Sequence, residues 1–166
     1  MSGHKKIKMA ELREQLTTLG FINLETYIQS GNIVFQSKET NQTKLETDIY
    51  NNIKSNYGFD VPVMVVEMAE LKQVIETNPF PNQPGIGEKD LYFVFLSEEP
   101  SQDLKKNVPK TEGFEFGEKV IYLNLPEGAG NTKLTTNFFE GKLKVRCTAR
   151  NLRTTNKLYE MASGMK

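Results

Sequence analysis

Residues able to do chemistry are few in this 166-residue chain, and the best of them gather near its C-terminal end. The run Arg146-Cys147-Thr148-Ala149-Arg150-Asn151 brings two guanidinium groups, a hydroxyl and a carboxamide together. Lys144 and Arg146 are expected on one face of a strand. Thr148 is expected to cap the last helix. Free backbone N–H groups and the positive end of the helix dipole would favour an anion there. Arg150 could then clamp a phosphate or carboxylate with two parallel hydrogen bonds, with Asn151 beside it. The plainer alternative is that Thr148 only caps and Arg150 pairs with a nearby carboxylate.

Other candidates are weaker. Gly128-Ala129-Gly130-Asn131-Thr132-Lys133 has the small residues and the lysine of a phosphate cradle. It lacks the four-residue spacing of a Walker loop, so a loop with Asn131 or Thr132 as helix cap competes with Lys133 as a ligand. In Ser30-Gly31-Asn32, Gly31 suits a positive φ at a tight turn. Ser30 has no base in its local sequence to activate it, although Ser30 or Asn32 could point from a hairpin tip into a cleft. His4 belongs to a terminus expected to fray. Cys147 falls in the apolar register of its segment and is expected to be an inert thiol.

Charge and composition bound the function. Lys plus Arg and Asp plus Glu are both 21, so the net charge is zero. A chain binding nucleic acid through bulk charge is excluded, a local patch is not. The balance is uneven along the chain: −2 over residues 1–83, −4 over 84–132 and +6 over 133–166. The basic tail is either an anion site or a solvated face. One cysteine and one histidine, far apart, argue against a zinc site, and no cofactor fingerprint is present. No window reads as a membrane span, and the start lacks the apolar core of a signal peptide. A reducing cytoplasm is the expected location. A chain of this size buries roughly 70% of its unfolded surface without a disulfide or metal.

The elements that must position these residues follow from periodicity. Met9, Leu12, Leu16 and Leu19 predict a first helix, ended near Gly20. Ile22 to Ile28 and Ile33 to Phe35 predict two strands around the turn Gln29–Asn32. Leu45, Ile49 and Ile53 predict a helix stopped by Gly58. Asp60 to Val66 predicts a buried strand, and Leu71, Val74 and Ile75 a short helix. Asn78 to Glu88, with three prolines and two glycines, predicts a linker. Leu91 to Leu96 is apolar on both faces, which predicts a strand covered on both sides rather than a platform for stacking bases. Ser101 is expected to open a short helix over 101–106. Phe114 with Phe116, and Val120 to Leu125, predict a hairpin turning at Gly117 to Lys119. Thr132 to Phe139 predicts a helix followed by Gly141. The alternation from Leu143 to Thr148 predicts a half-buried strand, and Leu152, Leu158, Met161 and Ala162 a last helix.

The second half therefore reads β-α-β-β-α-β-α and the first α-β-β-α-β-α. The unit β-α-β-β-α-β is the ferredoxin-like split motif. The fold expected is α+β: duplicated ferredoxin-like units in one compact protein, with the first strand of the first unit missing. The divisions are 1–77 for the first unit, 78–88 for the linker and 89–166 for the second unit with its C-terminal helix.

Several of these residues resemble a known family. Ile7-Lys8-Met9-Ala10-Glu11-Leu12-Arg13, Gly20-Phe21 and Thr26-Tyr27-Ile28-Gln29-Ser30-Gly31-Asn32-Ile33-Val34-Phe35 resemble the bacterial domain-of-unknown-function family 1697. Gly128 to Leu134 is similar to its Gly-rich segment. Thr148-Ala149-Arg150-Asn151, with Thr154 and Lys157-Leu158, is similar to its Thr-x-Arg-Asn-Trp motif and the following helix. The family opens with a Leu-Arg-Gly-Ile-Asn-Val strand, whereas this chain starts Met1-Ser2-Gly3-His4-Lys5-Lys6, at what resembles the end of that motif. The family tryptophan is Leu152 here, so a role needing an indole has no residue to carry it. The resemblance implies the duplicated α+β fold and no established activity.

Three functions stay open on the sequence. The first is a cytoplasmic protein that binds a small anionic, phosphorylated ligand in a basic cleft between the halves, lined by Lys133, Arg146, Thr148, Arg150 and Asn151. The second is an enzyme on such a ligand, with Ser30, Asn32 or an acidic residue as the reacting group. The third is a nucleic-acid module using the basic tail.

Overall fold

The structure is a computed structural model and describes residues 8–27, 32–80, 87–108, 113–126, 128 and 132–165. The chain divides into two compact units. The first runs through Met68 and takes up the chain again from Leu158; the second is Ala69–Lys157.

In the first unit, helix α1 (Met9–Thr17) buries Leu12 and Leu16, one turn apart. Leu19 lies beyond the helix end and is 39% exposed, so it is not part of the buried stripe. Gly20 takes φ 92°, a left-handed turn that redirects the chain into strand β1 (Ile22–Tyr27). β1 pairs antiparallel with β2 (Asn32–Gln36), and the register slips between Ile22 and Glu25. Helix α2 (Gln42–Tyr57) is capped by Asn41, whose side chain accepts the Lys44 amide hydrogen at 3.1 Å, and ends at left-handed Gly58. Its Leu45, Ile49 and Ile53 pack with Leu12, Leu16, Phe21 and Leu24. Phe21 stacks on Phe35 with ring centres 4.2 Å apart.

The strand expected over Asp60 to Val66 does not form; residues 58–67 carry no ladder. A strand needs a partner for its backbone, and α2 supplies side chains instead. The Val65 amide hydrogen goes to Glu46 Oε2 at 2.7 Å, and its carbonyl accepts from Gln42 Nε2 at 3.1 Å. The period-two apolar pattern survives without pairing, because Val61, Val63 and Val65 still pack on the α2 core.

The second unit opens with α3, whose residues Met68–Glu76 begin at the boundary. It continues with β3 (Leu91–Leu96), α4 (Gln102–Lys105), β4 (Phe114–Gly117), β5 (Val120–Asn124), α5 (Thr136–Leu143), β6 (Cys147–Asn151) and the start of α6 (Leu152–Ser163). Its sheet has the order β4-β5-β3-β6 with every neighbour antiparallel. Val94, Leu96, Ile121 and Leu123 form a core with Phe139 and Leu143 of α5. The other sheet face carries Phe93, Phe95, Val120 and Tyr122, all buried. Tyr122 sets its ring edge against Phe93 and shares a 2.6 Å hydrogen bond with the Thr77 hydroxyl. Strand β3 is thus buried on both faces, as its unbroken apolar run predicts.

Helix α5 starts and ends later than expected over Thr132 to Phe139. Thr135, not Thr132, is the cap: its hydroxyl accepts the Phe138 amide hydrogen at 3.1 Å. Gly141 sits inside the helix, where it costs about 1 kcal/mol. Burial of Phe139 and Leu143, four residues apart, carries the helix past it. Lys144 then closes α5 in the left-handed region at φ 59°. The apparent alternation from Leu143 to Thr148 therefore spans a helix end and the start of β6, and Lys144 does not share a strand face with Arg146.

Candidate functional site

The basic segment is built on β6. Ser97 brackets its entry: the Arg146 amide hydrogen goes to Ser97 Oγ at 3.0 Å, and the Arg146 carbonyl accepts the Ser97 amide hydrogen at 2.9 Å. Thr148 lies opposite Phe95 and Arg150 opposite Phe93 across the β3–β6 ladder, so both belong to the aromatic face of the sheet. The Arg150 guanidinium donates to Thr148 Oγ1 at 2.9 Å and to the Ala149 carbonyl at 2.8 Å. Burial draws its pKa below the ordinary arginine value. Arg146, two residues before Thr148, is exposed.

Not every expected ligand joins this group. Thr148 is in mid-strand and does not cap α6. Asn151 does, its Oδ1 accepting the Thr154 amide hydrogen at 2.7 Å, because β6 runs to Asn151 and the helix begins one residue later. Lys133 is exposed and precedes α5, whereas Arg146 follows it, with a helix of about 12 Å between them. The Thr132 hydroxyl accepts the Leu134 amide hydrogen at 3.0 Å, which turns the chain ahead of the cap. Asn32 belongs to the first unit. It is 4% exposed, and its Nδ2 donates to the Tyr27 carbonyl at 3.4 Å, closing the β1–β2 hairpin. Ser30, Gly31, Asn131 and His4 lie outside the described residues, as does most of the Gly-rich segment.

Cys147 is half-buried, and burial, helped by the Glu140 carboxylate, pushes its thiol up to about 12. Its amide hydrogen goes to Glu140 Oε2 at 2.9 Å. Among the described residues, no group of three His, Cys, Asp or Glu could hold a metal ion, and no helix is long and apolar enough to cross a membrane.

An open depression of about 630 Å³ in the first unit is lined by Arg13, Asn23, Leu24, Glu25, Thr26, Gly164 and Met165. These residues come from α1, from β1 at its register slip and from the chain beyond α6. No local motif joins them, so spacing could not have found them. Asn23 adopts φ 54° at the slip and donates its side-chain amide to Gln36 Oε1. Bulges of this kind re-aim side chains.

No curated protein matches the chain. Among solved structures, it is similar to the conserved bacterial protein SP0830 from Streptococcus pneumoniae, at 23% identity and a TM-score of 0.72, over 98% of this chain and 92% of that one. The likeness shows a shared fold. A family model described as a protein of unknown function matches residues 1–122, which hold α1 through β4 and most of β5. That match covers the greater part of both units, and the chain belongs to the DUF1697 family.

Proposed function

We propose that the protein binds a small anionic ligand, such as a phosphorylated metabolite, on the basic face of β6. Arg150 and Thr148 are the central pair and Arg146 the peripheral cation. The observation that carries this reading is the Arg150–Thr148 hydrogen bond on a largely desolvated sheet face. A guanidinium there is pre-oriented, and attraction to an anion is stronger than in bulk water. Asn151 contributes through the cap of α6.

The βαββαβ order of the second unit and its sheet order β4-β5-β3-β6 support a ferredoxin-like reading of that unit. The order α1-β1-β2-α2 supports a related first unit. In such a unit the run 60–66 pairs with an opening strand, and the described residues hold no such strand. A single, unreactive thiol is consistent with work in the bacterial cytoplasm.

The test is thermal unfolding of the chain with inorganic phosphate, sugar phosphates, nucleotides and short oligonucleotides at two salt concentrations. A salt-tolerant rise in Tm with one small phosphate, lost in Arg150→Ala, supports the proposal. A rise only with oligonucleotides that collapses with salt moves the assignment to nucleic acid. No rise with any of them rejects both.

A further inference from the structure

Strand β6 ends its sheet. One of its edges meets β3 and, among the described residues, no strand pairs with the other. In an antiparallel ladder, successive residues turn their backbone N–H and C=O groups alternately toward the partner and away from it. The Ser97 amide hydrogen reaches the Arg146 carbonyl at 2.9 Å, which fixes the phase. Thr148 and Arg150 therefore turn their backbone groups to β3, opposite Phe95 and Phe93. Cys147, Ala149 and Asn151 turn theirs outward.

Side chains meet these outward groups. The Cys147 amide hydrogen goes to Glu140 Oε2 of α5 at 2.9 Å. The Ala149 carbonyl accepts from the Arg150 guanidinium at 2.8 Å. The Asn151 carbonyl accepts from the Thr155 hydroxyl at 2.9 Å. Each outward residue thus has one backbone group already engaged. An edge without such contacts is a template for another strand. Thr155 is fully buried and belongs to α6, so Glu140 and Arg150 are the two removable guards.

We infer that Glu140 and Arg150 hold the β6 edge closed, and that the interface they close is with the same strand of a second copy of the chain. The edge is self-complementary. A two-fold axis at Ala149 sets Ala149 opposite its own counterpart and Cys147 opposite Asn151. In that register the Ala149 N–H would donate to the Ala149 carbonyl, and the Cys147 N–H to the Asn151 carbonyl. The first bond needs the carbonyl that Arg150 occupies, and the second needs the N–H that Glu140 occupies. Both guards are charged, so each contact is stronger than the neutral bond that would replace it.

The test is sedimentation velocity of the full chain over a wide range of concentration, with circular dichroism as the check on folding. The double variant Glu140→Ala/Arg150→Met should self-associate at least about tenfold more tightly than the parent, since two charge-assisted bonds no longer compete with pairing. Glu140→Gln keeps an acceptor oxygen and should sediment like the parent. Adding Ala149→Pro to the double variant removes the outward N–H and no bond to β3, because proline is tolerated on a strand edge. That triple variant should return to the parent's behaviour, which separates edge pairing from general stickiness. Glu140→Ala alone should shift association in the same direction by a smaller factor, and it decides the matter if the double variant does not fold. Glu140 has no part in the phosphate proposal, so this single variant reads the guard whether or not phosphate binds. The inference is overturned if folded variants lacking the guards associate no more tightly than the parent, or if Ala149→Pro leaves their association unchanged.

Discussion

Asn151 Oδ1 accepts the Thr154 amide hydrogen at 2.7 Å, so the residue that ends β6 also opens α6. The carboxamide that the sequence offered as a ligand is spent on an otherwise unpaired helix N–H group. Replacing it removes a cap and leaves the Arg150 side chain where it is. Asn151→Ala should cost about 1 kcal/mol of stability, a fall in Tm of roughly 2–4 °C by calorimetry. Asn151→Asp should retain most of it. An Asn151→Ala variant as stable as the parent would remove the capping assignment.

Phe139 is fully buried, edge-on to Phe114, and packs α5 onto the sheet. Phe139→Ala should destabilise by about 3–5 kcal/mol, read from the urea midpoint. Phe138 is only half-buried, so Phe138→Ala should cost clearly less. Equal losses would contradict the register of α5 set by the Thr135 cap.

Glu99 gives a pH signature. Burial acts to raise its pKa, but the Lys105 ammonium and the Lys119 amide hydrogen outweigh it and hold the carboxyl below its ordinary value. A carboxyl whose folded pKa is depressed adds stability above its unfolded pKa and loses it as pH falls through the folded one. Glu99→Gln should therefore be less stable than the parent at pH 7. The gap should close below about pH 4, near the unfolded carboxylate value. A gap that stays constant with pH would show that the ion pair is not its origin.

The Cys147 thiol, pushed up to about 12, is overwhelmingly protonated at neutral pH. Iodoacetamide at pH 8 should modify the native chain far more slowly than the urea-unfolded chain, where the thiol titrates near 8.5. Mass spectrometry of alkylation time courses reads the ratio. Comparable rates in both states would refute burial of the thiol.

Much of the architecture was legible because it rests on local physics. Leu45, Ile49 and Ile53 recur at helical spacing, and Gly58 can turn left-handed at little cost, so α2 and its end needed only the sequence. The unbroken apolar run from Leu91 to Leu96 signalled a strand buried on both sides, and Ser101 signalled the cap of α4. Where two patterns overlapped, locality failed. Leu143 and Val145 are buried in both a strand and a helix-end reading, and only packing of Phe139 and Leu143 against the sheet decides for the helix.

The sequence by itself determined the α+β class, the aromatic core strand and the concentration of positive charge after Lys133. Each follows from composition or from a period within a dozen residues. The tertiary structure alone decided that residues 60–66 join no strand ladder, since a ladder depends on a partner strand and Glu46 and Gln42 meet Val65 instead. It also decided that Thr148 faces Arg150 while Asn151 caps, because the end of β6 sets which side chain reaches the helix amides. Arg13, Glu25 and Met165 line one cavity for the same reason: long-range packing, not spacing, brings distant residues to one place.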